Sequence, residues 1–141
     1  MTDVRPARDA EEVRAALDLR HEVFVVEQRV PVDEEMDEHD ATALHLVAVE
    51  DGRVVATARV VMEGETAKVG RVAVASEARR RGIASRLIAA CEGEARARGG
   101  RRVTLAAQTG ALALYERAGY VAYGERFMDA GIEHLMMGKP L

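Results

Sequence analysis

Between residues 67 and 98 the hydrophobic period switches from two to about 3.6, and that switch restricts the fold more than any other feature. "AKVGRVAVA" (67–75) reads as a strand, whereas from Gly82 to about Arg98 the residues Ile83, Leu87, Cys91 and Ala95 share one helical stripe with Ile88 beside it. The junction, "SEARRRG", holds three consecutive arginines and a glycine. A helix leaves its first four backbone N–H groups unpartnered and carries partial positive charge at that end. Gly82 lets a ligand approach where a Cβ would stand, so Arg79, Arg80 and Arg81 beside it make the junction suited to a pyrophosphate. A basic, solvated helix start is the alternative reading of the same residues.

The rest of the chain supplies strands around this unit. Asp9 and Glu12 resemble a capping box, and Val13, Leu17, Arg20 and Phe24 follow at helical spacing in a helix that should end near Glu27. "DEEMDEHD" (33–40) reads as a solvated acidic loop, without the glycine of an EF-hand or the paired His/Cys spacing of zinc. "LHLVAVE" (44–50), Asp51-Gly52 and "RVVATARVVM" (53–62) predict a hairpin, and "EGET" leads into the third strand. If that second hairpin is symmetric about Glu65, Arg59 faces Arg71 and an anion belongs between them, either Glu27 or an acceptor carboxylate; a one-residue shift in register removes the argument. After Gly99-Gly100 come a strand (101–107), a short helix closed by Gly119, and two strands (120–128 and 132–139) joined at Asp129-Ala130-Gly131. The order implies an α/β (α+β) fold with a mixed, mostly antiparallel sheet flanked by helices.

Length and composition narrow the functions. At 141 residues, 48% apolar, the chain suits one domain over 1–141. No apolar run approaches the ~20 residues of a membrane span, and the N-terminus lacks the order of a secretory signal. Cys91 is the lone cysteine, so a reducing cytoplasm is the expected location. A net charge of −4 and few aromatics near the arginines argue against nucleic acid. Neither a P-loop nor a G-x-G-x-x-G string occurs.

Arg79, Gly82 and Ala84 spell R-x-x-G-x-A directly after a strand, and "ALALYERAGY" (111–120) ends in Tyr-x-x-x-Gly-Tyr. These motifs resemble those of the GNAT superfamily of N-acetyltransferases. "LRHEVFVVEQRVPVDEEMD", "GRVAV", "AAQ" and "GERFMDAGIEHLMM" look like its ElaA-like subgroup. The resemblance implies a GNAT fold in which strands 67–75 and 101–107 splay to hold acyl-CoA. Pantetheine would lie along Val72, Ala73 and Val74, and the pyrophosphate would sit on amides from Arg80 to Ser85, including Arg81, Gly82, Ile83 and Ala84. It also implies acetyl-CoA as co-substrate, no metal, a small-molecule amine acceptor, and a homodimer as one possible assembly. Tyr115 matches the family's general acid. Glu27 and His134 are the candidate bases, and a water chain is the alternative. A non-catalytic acyl-CoA-binding module is the rival reading.

Overall fold

The computed structural model describes residues 1–141 and contains one seven-stranded sheet in the order β1-β2-β3-β4-β5-β7-β6. In chain order the elements are β1 (Asp3–Pro6), α1 (Ala10–Arg20, continued as a π-helix over His21–Glu27), α2 (Val32–Glu35), β2 (Leu44–Glu50), β3 (Arg53–Glu63) and β4 (Thr66–Val74). Then follow α3 (Ile83–Ala97), β5 (Arg102–Gln108), α4 (Leu112–Arg117), β6 (Val121–Asp129) and β7 (Ile132–Pro140). Every neighbouring pair is antiparallel except β4 and β5. This is the mixed, mostly antiparallel sheet flanked by helices that the order of elements led one to expect. No helix is long and apolar enough to cross a membrane.

Alternation along the strands sorts the two faces. Leu46, Ala48, Ala56, Ala58 and Val60 join Ile83, Leu87, Ile88, Cys91 and Ala95 of α3 in the main core. The intervening His45, Val47, Thr57 and Arg59 turn to the other face, against which α1 packs. Asp9 caps α1 by accepting from the Glu12 amide, but Glu12 reaches back to the Arg8 amide and to Arg5, so the reciprocal box does not form. β1 adds an edge strand for which the sequence carries no pattern: four residues ending in proline, paired with β2.

Two departures from the expected picture matter for the site. The hairpin between β3 and β4 turns at Gly64-Glu65 and pairs Glu63 with Thr66, so Arg59 faces Gly70 rather than Arg71. Two residues of β4, Arg71 and Val72, then oppose Ala58 alone, and Arg71 takes φ +52° to make this bulge. The acidic stretch is not a solvated loop. Glu35 is 3% exposed, and its carboxylate, with that of Asp40, is held by Arg20, itself 1% exposed.

Candidate active site

The parallel ladder between β4 and β5 runs only from Thr66–Arg102 to Lys68–Thr104. β4 stays paired with β3, and β5 with β7 as far as Gln108–His134, so the two strands diverge along Val69–Val74 and Leu105–Gln108. The bulge at Arg71 bends β4 in this stretch. What opens is a cavity of about 800 Å³. Val72, Ala73 and Val74 form one wall, the start of α3 closes one end, and Tyr115, His134 and the end of α1 border it elsewhere. At another point Gln108 Nε2 donates to Gln28 Oε1 (2.9 Å), bridging β5 and the end of α1.

The α3 end is built as an anion cradle. Arg80 (φ +63°) and Gly82 (φ +77°) are both left-handed, and no side chain caps the helix, so the first-turn amides are free. Nothing lies within 4 Å of the point where a Gly82 Cβ would stand. Arg79, Arg80, Gly82, Ile83, Ala84 and Ser85 all line the cavity. The Arg81 side chain does not; its guanidinium turns away to the carboxylate of Glu50, leaving only its backbone at the junction.

Arg79 makes a strap across the mouth. Its Nε donates to Val74 O (3.0 Å), and Nη2 donates to both oxygens of Glu27 (3.0 Å each). Glu27 is the last residue of the π-helical turn, whose wider register carries it to this position. The Glu27 carboxylate is therefore neutralised by Arg79, and it is not the anion between Arg59 and Arg71. That anion is Asp37, which accepts from Arg59 Nη1 at 2.7 Å and from Arg71 Nη2 at 3.4 Å. Asp40 accepts from both Arg20 and Arg59. Burial alone would raise the Asp40 pKa, but hydrogen bonds from Arg20, the Asp37 amide and Arg59 outweigh it and hold the carboxyl well below its ordinary range.

Tyr115 and His134 face the cavity differently. Tyr115 is 8% exposed and sits edge-on to Tyr120 with centroids 6.2 Å apart; its hydroxyl bonds to no protein group and is not sealed off from solvent. Burial, and to a lesser degree the neighbouring Cys91, pushes its phenol up to about 12. His134 Nδ1 lies 2.7 Å from Ile132 O. A carbonyl only accepts, so Nδ1 carries the proton and the Nε2 lone pair is free. The ring stacks on Phe127 with centroids 5.7 Å apart. Tyr120, by contrast, is structural: its hydroxyl donates to Glu92 (2.9 Å), which also accepts from Lys139 (3.0 Å).

Sequence reasoning missed the arginine–carboxylate network and the Gln28–Gln108 bridge. Their partners stand far apart in the chain, so local pattern carries no trace of them.

Comparison with known proteins places this site in a family. Residues 5–141 match the acetyltransferase (GNAT) domain. The chain is 36% identical over 134 residues to a Bacillus subtilis protein described as the uncharacterized N-acetyltransferase YjcF, covering 94% of this chain and 96% of that one. A crystal structure of an acyl-CoA N-acyltransferase from Pseudomonas aeruginosa superposes with a TM-score of 0.87 at 32% identity, covering 99% of each chain. Escherichia coli ElaA superposes with a TM-score of 0.88 at 25% identity, again over 99% of each. The chain belongs to the GNAT acetyltransferase family and is similar to ElaA over its whole fold.

Proposed function

We propose that the chain transfers an acetyl group from acetyl-CoA to the primary amine of a small, amino-acid-like acceptor by direct attack. The observation that carries this reading is one continuous cleft with anion-binding amides at the α3 end and an unpartnered phenol in its wall. The residues present suit the co-substrate: the amides from Arg80 to Ser85 would take its pyrophosphate, and the open edge of β4 at Val72–Val74 would bond its pantetheine as an added strand. Arg79 occupies Val74 O in the structure, so it would swing from there and from Glu27 onto the anion.

Acetyl-CoA supplies the activated acyl group. The chain's residues manage the protons. His134 Nε2 accepts the proton that the amine loses, and Tyr115 Oη gives its proton to the departing sulfur. A phenol at about 12 would be a poor acid toward an ordinary thiol near 8.5. Desolvation raises thiols as well, however: buried Cys91 is pushed up to about 12. A thiolate leaving beside Tyr115, against the apolar wall of the cleft, would be raised in the same direction, which narrows the gap between the two. Glu27 is the second base candidate: Arg79 holds both its oxygens in the structure and would release them on moving to the anion. Cys91 lies wholly buried in the core, which supports a route without an acyl-enzyme.

Free-thiol release across a panel of amines tests the reading, with calorimetric titration of coenzyme A beside it. Binding together with amine-dependent release is expected. Binding with no release from any amine would leave a non-catalytic acyl-CoA module.

A change at Gly82 probes the cradle separately. Gly82→Ala puts a Cβ at φ +77°, with a cost of roughly 1–2 kcal/mol that is torsional, because nothing crowds the position. Either the strain lowers the melting temperature, or the turn relaxes and its amides lose their aim. Coenzyme A affinity is expected to fall about tenfold in the second case. An unchanged melt with unchanged affinity would contradict the cradle.

A further inference from the structure

We infer that Arg71 binds a carboxylate on the acceptor, so that the amine acetylated belongs to a molecule with a nearby acid group, an amino acid or the like. This inference rests on the proposed transfer reading and adds the chemistry that selects the acceptor.

The argument begins with how three arginines share three carboxylates. Arg20 is fully inside, with contacts of 2.6 Å to Glu35 and 2.7 Å to Asp40. Arg59 is nearly so, with 2.7 Å to Asp37 and 3.0 Å to Asp40. Arg71 receives what is left: its only carboxylate contact is Asp37 Oδ2 at 3.4 Å, an oxygen that Arg59 already takes at 3.0 Å. Its remaining bonds go to carbonyls, Glu35 O at 3.1 Å and Glu34 O at 3.4 Å. Nη1 donates to nothing in the protein. Arg71 is thus a half-buried cation whose two Nη1 donors are unspent, standing in the wall of the cavity. Burial, then the fields of Arg59 and Arg20, holds its pKa below the usual arginine value, so its surroundings are short of negative charge.

Position singles out the acceptor rather than the co-substrate as the source of that charge. Arg71 is the bulged residue of β4, held at φ +52°, next to Val72 where the pantetheine-bonding edge begins. The anion cradle for the pyrophosphate starts only at Arg80, past the end of the strand. A left-handed, non-glycine residue is strained backbone, and such positions cluster where a side chain must be aimed. A guanidinium nitrogen with free hydrogens donates charge-assisted hydrogen bonds to a carboxylate, and Nη1 has both of its own to give.

The test compares each amino acid with its amide and with the amine that lacks the carboxylate, in the full-length chain and in Arg71→Gln and Arg71→Lys. Wild type is expected to prefer the acid by about 10- to 100-fold in kcat/KM, the range of a charged hydrogen bond, chiefly through KM. Arg71→Gln should bring that preference close to one, and Arg71→Lys should restore part of it. Equal use of acid and amide by wild type would overturn the inference. So would a preference that survives in Arg71→Gln, since a merely structural arginine lowers all acceptors together. If no amine releases thiol, the transfer reading fails by itself. Titrating the coenzyme A complex with the same acid and amide pairs then decides this inference: acid-selective binding lost in Arg71→Gln upholds it, and indifference to the carboxylate ends it.

Discussion

Tyr115→Phe is expected to lower kcat by about a hundredfold to ten-thousandfold, the usual worth of a positioned general acid, with little change in coenzyme A binding. The substitution keeps the ring that sits edge-on to Tyr120 and removes a hydroxyl that bonds to nothing in the protein. Thermal stability at neutral pH should therefore hold. The pH dependence gives a second reading of the same residue. With the folded pKa pushed up to about 12 and the unfolded one near 10, the native chain retains a proton that the unfolded chain has lost between those values. The stabilisation is complete below pH ~10 and is lost as pH rises toward 12. Wild type should show that alkaline loss, and Tyr115→Phe should show less of it. A kcat within a few-fold of wild type would remove Tyr115 from the chemistry.

Arg20→Ala should be the most damaging change to stability, by about 3–5 kcal/mol, because it leaves two buried carboxylates without their principal partner. Against a total of roughly 5–15 kcal/mol, a melting point lower by roughly 10 °C or more is expected. Urea unfolding measures it, and Arg98→Ala provides the contrast. Arg98 pairs with Glu94 on the surface at 2.8 Å, and its loss should cost less than about 1 kcal/mol. Equal effects from the two would mean that the interior network contributes no more than a surface pair. Acid should reproduce the Arg20 defect gradually. The Asp37 and Asp40 pKa values are depressed in the folded chain, so their contribution is present above the unfolded value near 4 and declines as pH falls below it.

Local pattern carried the elements well because each rests on short-range physics. Asp51-Gly52 adopts positive φ at both residues, as a tight hairpin requires, and Gly99 ends α3 at φ +80°. The Ile83, Leu87, Cys91 and Ala95 stripe is buried throughout. Long-range electrostatics was not legible. Six carboxylates in eight residues look solvated when counted alone; Arg20, Arg59 and Arg71, on three different elements, convert several of them into structure. The same blindness set Glu27 against the wrong arginine and gave no sign that Glu50 turns the Arg81 side chain away while its amide stays at the junction. The bulge was equally hidden, since hairpin symmetry says where two residues would meet only if every residue stays paired.

The short parallel ladder has a mechanical consequence. α1 and α3 both pack on β2–β4, while α4 packs on β5, so the sheet is two plates whose backbone pairing is confined to the seam from Thr66 to Lys68. Two clasps span the plates away from that seam, Gln28 to Gln108 and Glu92 to Tyr120 and Lys139. Widening the gap stretches side-chain clasps and breaks no strand pairing. The one apolar core that runs from β2 and β3 through α3 to Val103, Leu105, Tyr115 and Met137 also bridges the plates, so side-chain packing rather than backbone pairing sets the width of the gap.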